Sequence, residues 1–116
     1  MSIQRYHVGP RLSEIVVHNN TVYLAGQVAE HTLHQGANSQ TTEVLAMIDK
    51  LLSEVGSDKT KILSAQIWLA DIADYDAMNE AWSAWVPQGH TPARATVESR
   101  LAAPEYKVEI KIIAAL

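Results

Sequence analysis

The chain of 116 residues has no cysteine. That absence excludes disulfides, thiol nucleophiles and thiolate metal sites, and it fits a reducing compartment. Apolar runs of membrane-spanning length are also missing, and the first ten residues, MSIQRYHVGP, carry no apolar core of a secretory signal. The expected location is therefore the cytoplasm, with no membrane partner. Positive charge is scarce: 9 Lys and Arg against 13 Asp and Glu leave a formal charge of −4. This balance argues against broad electrostatic binding to nucleic acid, although it leaves room for one local basic pocket. Internal repeats, low-complexity tracts and interdomain linkers are absent as well. What remains is a length that suits one domain, 1–116, and a composition, 47% hydrophobic and 19% charged, of an ordinary globular protein. A chain of this size buries roughly two-thirds of its unfolded surface, enough for a core without staples.

Hydrophobic periodicity divides the chain into strands and two helices. Residues 3–7 suit an edge strand that Gly9-Pro10 breaks. Residues 14–18 and 21–28 read as a hairpin about Asn19-Asn20, because Asn tolerates positive φ. Gly26, inside the second of these strands, marks a bulge or a close backbone approach. After a polar loop at 29–37, Asn38 or Ser39 is placed to cap a helix whose apolar face is Val44, Ile48, Leu51, Leu52 and Val55. Gly56 is its stop. A short polar connection, one helical turn, spans 57–61. In the strand 62–70, Leu63, Ala65, Ile67 and Leu69 alternate with Ser64, Gln66 and Trp68. A second helix is expected over 74–86, with Tyr75, Met78, Trp82 and Trp85 on its packing face and Pro87 and Gly89 ending it. Strands that alternate with helices need right-handed crossovers, so both helices should cover one sheet face. The other face, with Ser64, Gln66, Trp68, Glu109, Lys111 and Ile113, is too mixed for a core and too apolar for plain solvent. A partner chain is its expected cover.

The last part of the chain carries the functional signal. Arg94 opens one β-prone run, 94–98, and Glu109 lies in a second, 108–112, with a turn at Ala103-Pro104-Glu105 between them. A hairpin would set Arg94 and Glu109 on neighbouring strands. A guanidinium grips a carboxylate through two parallel hydrogen bonds, and a nearby carboxylate can hold or deprotonate a water. Together they suit the binding and hydrolysis of a small acid. The same pattern also suits an ordinary cross-strand ion pair on a solvated face. His31 and His34 stand three apart, but no third ligand completes a metal motif. His7, His18 and His90 show no pairing, and no nucleophile-elbow signature is present. Tyr75, Trp82 and Trp85 read as packing residues, so nothing resembles the basic aromatic groove of a single-strand nuclease.

Pro92-Ala93-Arg94 and Val108-Glu109-Ile110, at this spacing, resemble the C-terminal signature of the RidA/YjgF family of imine/enamine deaminases. Gly9-Pro10, Leu24-Ala25-Gly26-Gln27-Val28, Gly56-Ser57-Asp58 and the segment from Tyr75 to Trp82 follow the family's pattern in the same order. The resemblance implies an α+β, chorismate-mutase-like domain: a mixed six-stranded sheet with two helices on one face, assembled as a homotrimer with sites in the clefts between subunits. It implies hydrolysis of 2-imino acids to 2-keto acids and ammonia, with no metal and no cofactor. In that scheme Arg94 clamps the substrate carboxylate and Glu109 positions the water. Ala25 and Gly26 match backbone positions lining the cleft, and Asn79 matches an asparagine near the site. The chain departs from the family at Arg11, which stands where a tyrosine follows Gly-Pro, and at Thr96, which stands where many members have cysteine. Both are candidate substrate contacts. The alternative within the same fold is a non-catalytic module that binds small carboxylates.

Overall fold

The structure is a computed structural model that describes residues 2–116. Six strands form one mixed sheet. In chain order they are β1 (Gln4–Val8), β2 (Ser13–His18), β3 (Thr21–Leu24), β4 (Ile62–Leu69), β5 (Ala93–Glu98) and β6 (Val108–Ala115). Their spatial order is β1-β2-β3-β6-β4-β5, with β4 and β5 parallel and every other pair antiparallel. The helices are α1 (Ala37–Glu54) and α2 (Tyr75–Trp85), packed against each other over one face of the sheet.

The β2–β3 hairpin turns at Asn19 and Asn20, both at positive φ (51° and 59°), as a tight turn matched to strand twist requires. Regular pairing of β3 stops at Leu24, short of the expected 28, and only an isolated bridge from Gln27 to Ile110 continues it. The first helix starts at Ala37 after Gly36, which has no capping side chain. Asn38, expected as a cap, instead donates its amide to the Ala77 carbonyl on α2 at 3.2 Å. Gly56, at φ 80°, ends α1 as the sequence suggests.

The core lies between the helices and the sheet. It joins Val44, Leu45, Ile48 and Leu52 of α1 and Met78 of α2 to Ile67, Leu69, Ile110 and Ile112. In β6, Val108, Ile110, Ile112 and Ala114 are all buried on that face. This apolar row accounts for the central place of β6, between β3 and β4, while β5, whose Ala93, Ala95 and Val97 are exposed, takes the edge. The expected hairpin of the last two strands is therefore not formed: residues 99–107 carry the chain across β4. Leu63 also departs from expectation. A register shift between Ile62 and Ser64 turns it outward, 53% exposed, and Ile62 takes the buried place.

Two polar side chains of α1 tie these layers together. Gln40, fully buried on α1, donates to the Glu105 carbonyl at 3.0 Å and accepts from the Lys107 backbone N–H at 3.0 Å. It thereby fixes the segment leading into β6. Glu43 accepts from the backbone N–H groups of Glu30, His31 and Thr32 and from the Thr32 hydroxyl. Burial pushes the Glu43 carboxyl up, but the Thr32 hydroxyl and the three backbone donors outweigh it, and the group lies below its ordinary value.

Candidate active site

Arg94 and Glu109 stand on opposite faces of the sheet. Arg94 pairs in register with Ala65 and shares the helix-covered face with Ala65 and Ile67. Glu109 lies opposite Trp68 on β4, on the face without helices. With β4 between their strands, the two side chains do not meet within one chain. The expected neighbouring placement is overturned, because the buried row of β6 draws that strand inward while β5 stays at the edge.

Around Arg94 the second helix builds a cradle. Tyr75, Asn79 and Trp82 fall at intervals of four and three on α2 and so share one side of it. The guanidinium donates from Nη1 to Asn79 Oδ1 at 2.7 Å and from Nη2 to the Tyr75 hydroxyl at 3.2 Å. Its carbon lies 5.2 Å from the Trp82 ring centroid and 5.8 Å from that of Tyr75, within cation–π range. Arg94 is half-buried, and its remaining donors have no partner among the described residues. Tyr75, read from sequence as a packing residue, is 40% exposed and belongs to this cradle. The signal that could have found it is the four-residue step to Asn79, which was itself a candidate only through the family resemblance.

Thr96 lies two residues beyond Arg94 on the same face, opposite Ile67. Its hydroxyl is buried and has no hydrogen-bond partner among the described residues. Asn79 and Thr96 therefore gather with Arg94, whereas Ala25 and Gly26 belong with Glu109. Ala25 is held by its N–H to the Glu14 carbonyl at 2.9 Å. At Gly26 any side chain would overlap the Glu109 carboxylate, which is the close approach that a glycine inside this stretch suggests. Glu109 is half-buried and makes no side-chain hydrogen bond or ion pair among the described residues. Arg11 lies on the exposed turn after β1, and its side chain makes no hydrogen bond among the described residues.

A cavity of about 680 Å³ opens elsewhere, between the loop at 30–31, α1 and the β1 edge. Glu14, Glu30, Glu43 and Glu54 line it, with Lys50, His7 and His31. Four carboxylates disfavour an anionic ligand there, and none of the predicted site residues faces it. His31 is exposed and lies 4.0 Å from Glu30. Among the described residues no three His, Asp or Glu side chains converge to hold a metal ion, and no helix is long and apolar enough to cross a membrane.

Two helices laid on one face of this mixed sheet define the chorismate-mutase-like α+β class. Within it the chain belongs to the YjgF family: the family model described as endoribonuclease L-PSP matches residues 3–116. A RutC family protein of Haemophilus influenzae is 56% identical over 114 residues, with 98% of each chain covered. A crystal structure of a YjgF-family member from Neisseria meningitidis superposes with a TM-score of 0.96 at 50% identity, covering 99% of this chain and 95% of that one. More distantly, the chain is 30% identical to a 2-iminobutanoate/2-iminopropanoate deaminase of Capra hircus, covering 92% of this chain and 80% of the relative.

Proposed function

We propose that the protein hydrolyses 2-imino acids, or their enamine tautomers, to 2-keto acids and ammonia, and that it does so as a cytoplasmic homotrimer. The observation that carries this reading is the Arg94 cradle: a guanidinium oriented by Asn79 and Tyr75, walled by two aromatic rings, with donors to spare. Such a group binds a carboxylate with little reorganisation. The name of the Capra hircus relative supports the reaction class. Because Arg94 and Glu109 face opposite ways, a complete site takes Arg94, Asn79 and Thr96 from one copy and Glu109, Ala25 and Gly26 from another. The outer sheet face supports such packing, since Val16, Tyr23 and Ile113 form an apolar row across three strands.

The chemistry asks little of the protein. Arg94 fixes the carboxylate, and Glu109 holds a water against the imine carbon and accepts its proton. The water oxygen bonds to that carbon as the C=N π electrons move to nitrogen. Proton transfer to nitrogen and expulsion of ammonia leave the ketone. No metal or organic cofactor enters the scheme.

A complementation assay tests both the reaction and the shared site. A pyridoxal-phosphate dehydratase acting on serine or threonine generates the imine, and keto-acid release is followed. Wild type accelerates it, whereas Arg94→Ala and Glu109→Gln do not. Mixed and refolded together, the two variants recover part of the activity, because some clefts then receive an intact Arg94 and an intact Glu109. No acceleration by wild type across several parent amino acids would leave the second reading, a non-catalytic carboxylate-binding module. That reading is favoured by one observation: a single chain holds the clamp apart from the water-holding carboxylate.

A further inference from the structure

We propose that Tyr75 is a specificity-determining residue whose hydroxyl selects acids carrying a hydrogen-bond acceptor on the carbon next to the carboxylate. The inference rests on the reading of Arg94 as a carboxylate clamp and adds what that clamp reads besides charge. A guanidinium has hydrogens to give and no lone pair to offer, so in the 3.2 Å contact with Arg94 Nη2 the phenol oxygen is the acceptor. Its own O–H hydrogen is then directed elsewhere and meets no acceptor among the described residues. Tyr75 is 40% exposed, so a ligand reaches that hydrogen from solvent.

The geometry at Nη2 decides which ligand atom receives it. The two hydrogens of that nitrogen diverge by about 120°, and each acceptor sits about 3 Å away. A carboxylate oxygen on the second hydrogen therefore lies roughly 5 Å from the phenol oxygen, too far for a direct hydrogen bond. A keto oxygen or imine nitrogen on the neighbouring carbon bridges that gap, whereas a methylene in its place has no lone pair. Asn79 restrains the guanidinium from the other side, at Nη1, so that it does not swing to close the distance.

The experiment compares equilibrium binding of pyruvate and propanoate, by calorimetry, to wild type, Tyr75→Phe and Arg94→Ala. Phe keeps the aromatic wall beside Arg94 and removes only the hydroxyl, and a thermal melt checks that each variant is folded. Wild type is expected to prefer pyruvate. Tyr75→Phe should weaken pyruvate about tenfold, the scale of one hydrogen bond, and leave propanoate unchanged. Arg94→Ala should weaken both acids. Equal weakening of both by Tyr75→Phe would reduce Tyr75 to a support for Arg94 and overturn the inference, as would no change in either, with the clamp reading intact. Wild type that binds neither acid, or binding indifferent to Arg94→Ala, would overturn the clamp reading and the inference with it.

Discussion

On the helix face of the sheet Arg94 is held by four contacts, two hydrogen bonds and two aromatic planes, all from α2. On the opposite face Glu109 has no side-chain partner among the described residues and lies beside Gly26, where the lack of a Cβ leaves room for its carboxylate. One charge is oriented before anything binds, and the other is free to meet water or a second copy. The contrast suits the roles proposed for each. A clamp gains from a fixed donor geometry, since fixing it beforehand lowers the entropic cost of binding. A carboxylate that is to hold a water must keep its lone pairs uncommitted. Glu43 shows the other fate of a glutamate in the same chain, with its oxygens saturated by three backbone N–H groups and a hydroxyl.

The largest effect that breaks this contrast falls on turnover at the free charge. Glu109→Gln should lower kcat by about 10²- to 10⁴-fold, the range of general acid–base catalysis, while pyruvate binding by calorimetry is kept. Next is the held charge: Arg94→Lys loses the two-point grip, and the KM for the imine should rise on the order of a hundredfold, read in the same coupled assay. Gly26→Ala sharpens the comparison by pushing the Glu109 carboxylate aside without touching Arg94. The expected result is a lower kcat, down about tenfold or more, with pyruvate affinity unchanged. Asn79→Ala frees one side of the guanidinium and should weaken pyruvate binding about fivefold, with Tm nearly constant.

The smallest effect is a pH dependence at Glu43. The folded-state pKa of Glu43 is lowered, so its stabilisation is complete above the ordinary carboxyl range and is lost as pH falls through the folded value. Glu43→Gln should cost about 1 kcal/mol in denaturant unfolding at pH 7, and the difference should shrink in acid. A difference that stayed constant or grew in acid would contradict the assignment.

Much of the architecture was legible because it is local. The 3.6-residue spacing of Val44, Ile48, Leu51 and Leu52, the paired asparagines at 19–20 and the stop at Gly56 each encode their element through near neighbours, and each element is present. The two-residue alternation in β4 and β6 likewise separated Trp68, Glu109 and Lys111 from the buried row. At Leu63 alternation failed, because a bulge inserts a residue and reverses the facing, and nothing in the run 62–70 announces it. The burial of Gln40 also went unread. Its partners are the backbone groups of residues 105 and 107, and such distant matches leave no periodic trace.

For the candidate site the division is sharper. Short-range pattern in the sequence alone put Arg94 and Glu109 on strands and Asn79 on a helix, and the family resemblance marked these residues, with Gly26, as candidates. Only the tertiary structure decided that Arg94 and Glu109 point away from each other, that Tyr75 turns from the core to the guanidinium, and that Gly26 clears space for a carboxylate. Those facts depend on which strands become neighbours. Strand order follows from how much apolar surface each strand buries in competition with all the others, and no local window of sequence contains that competition.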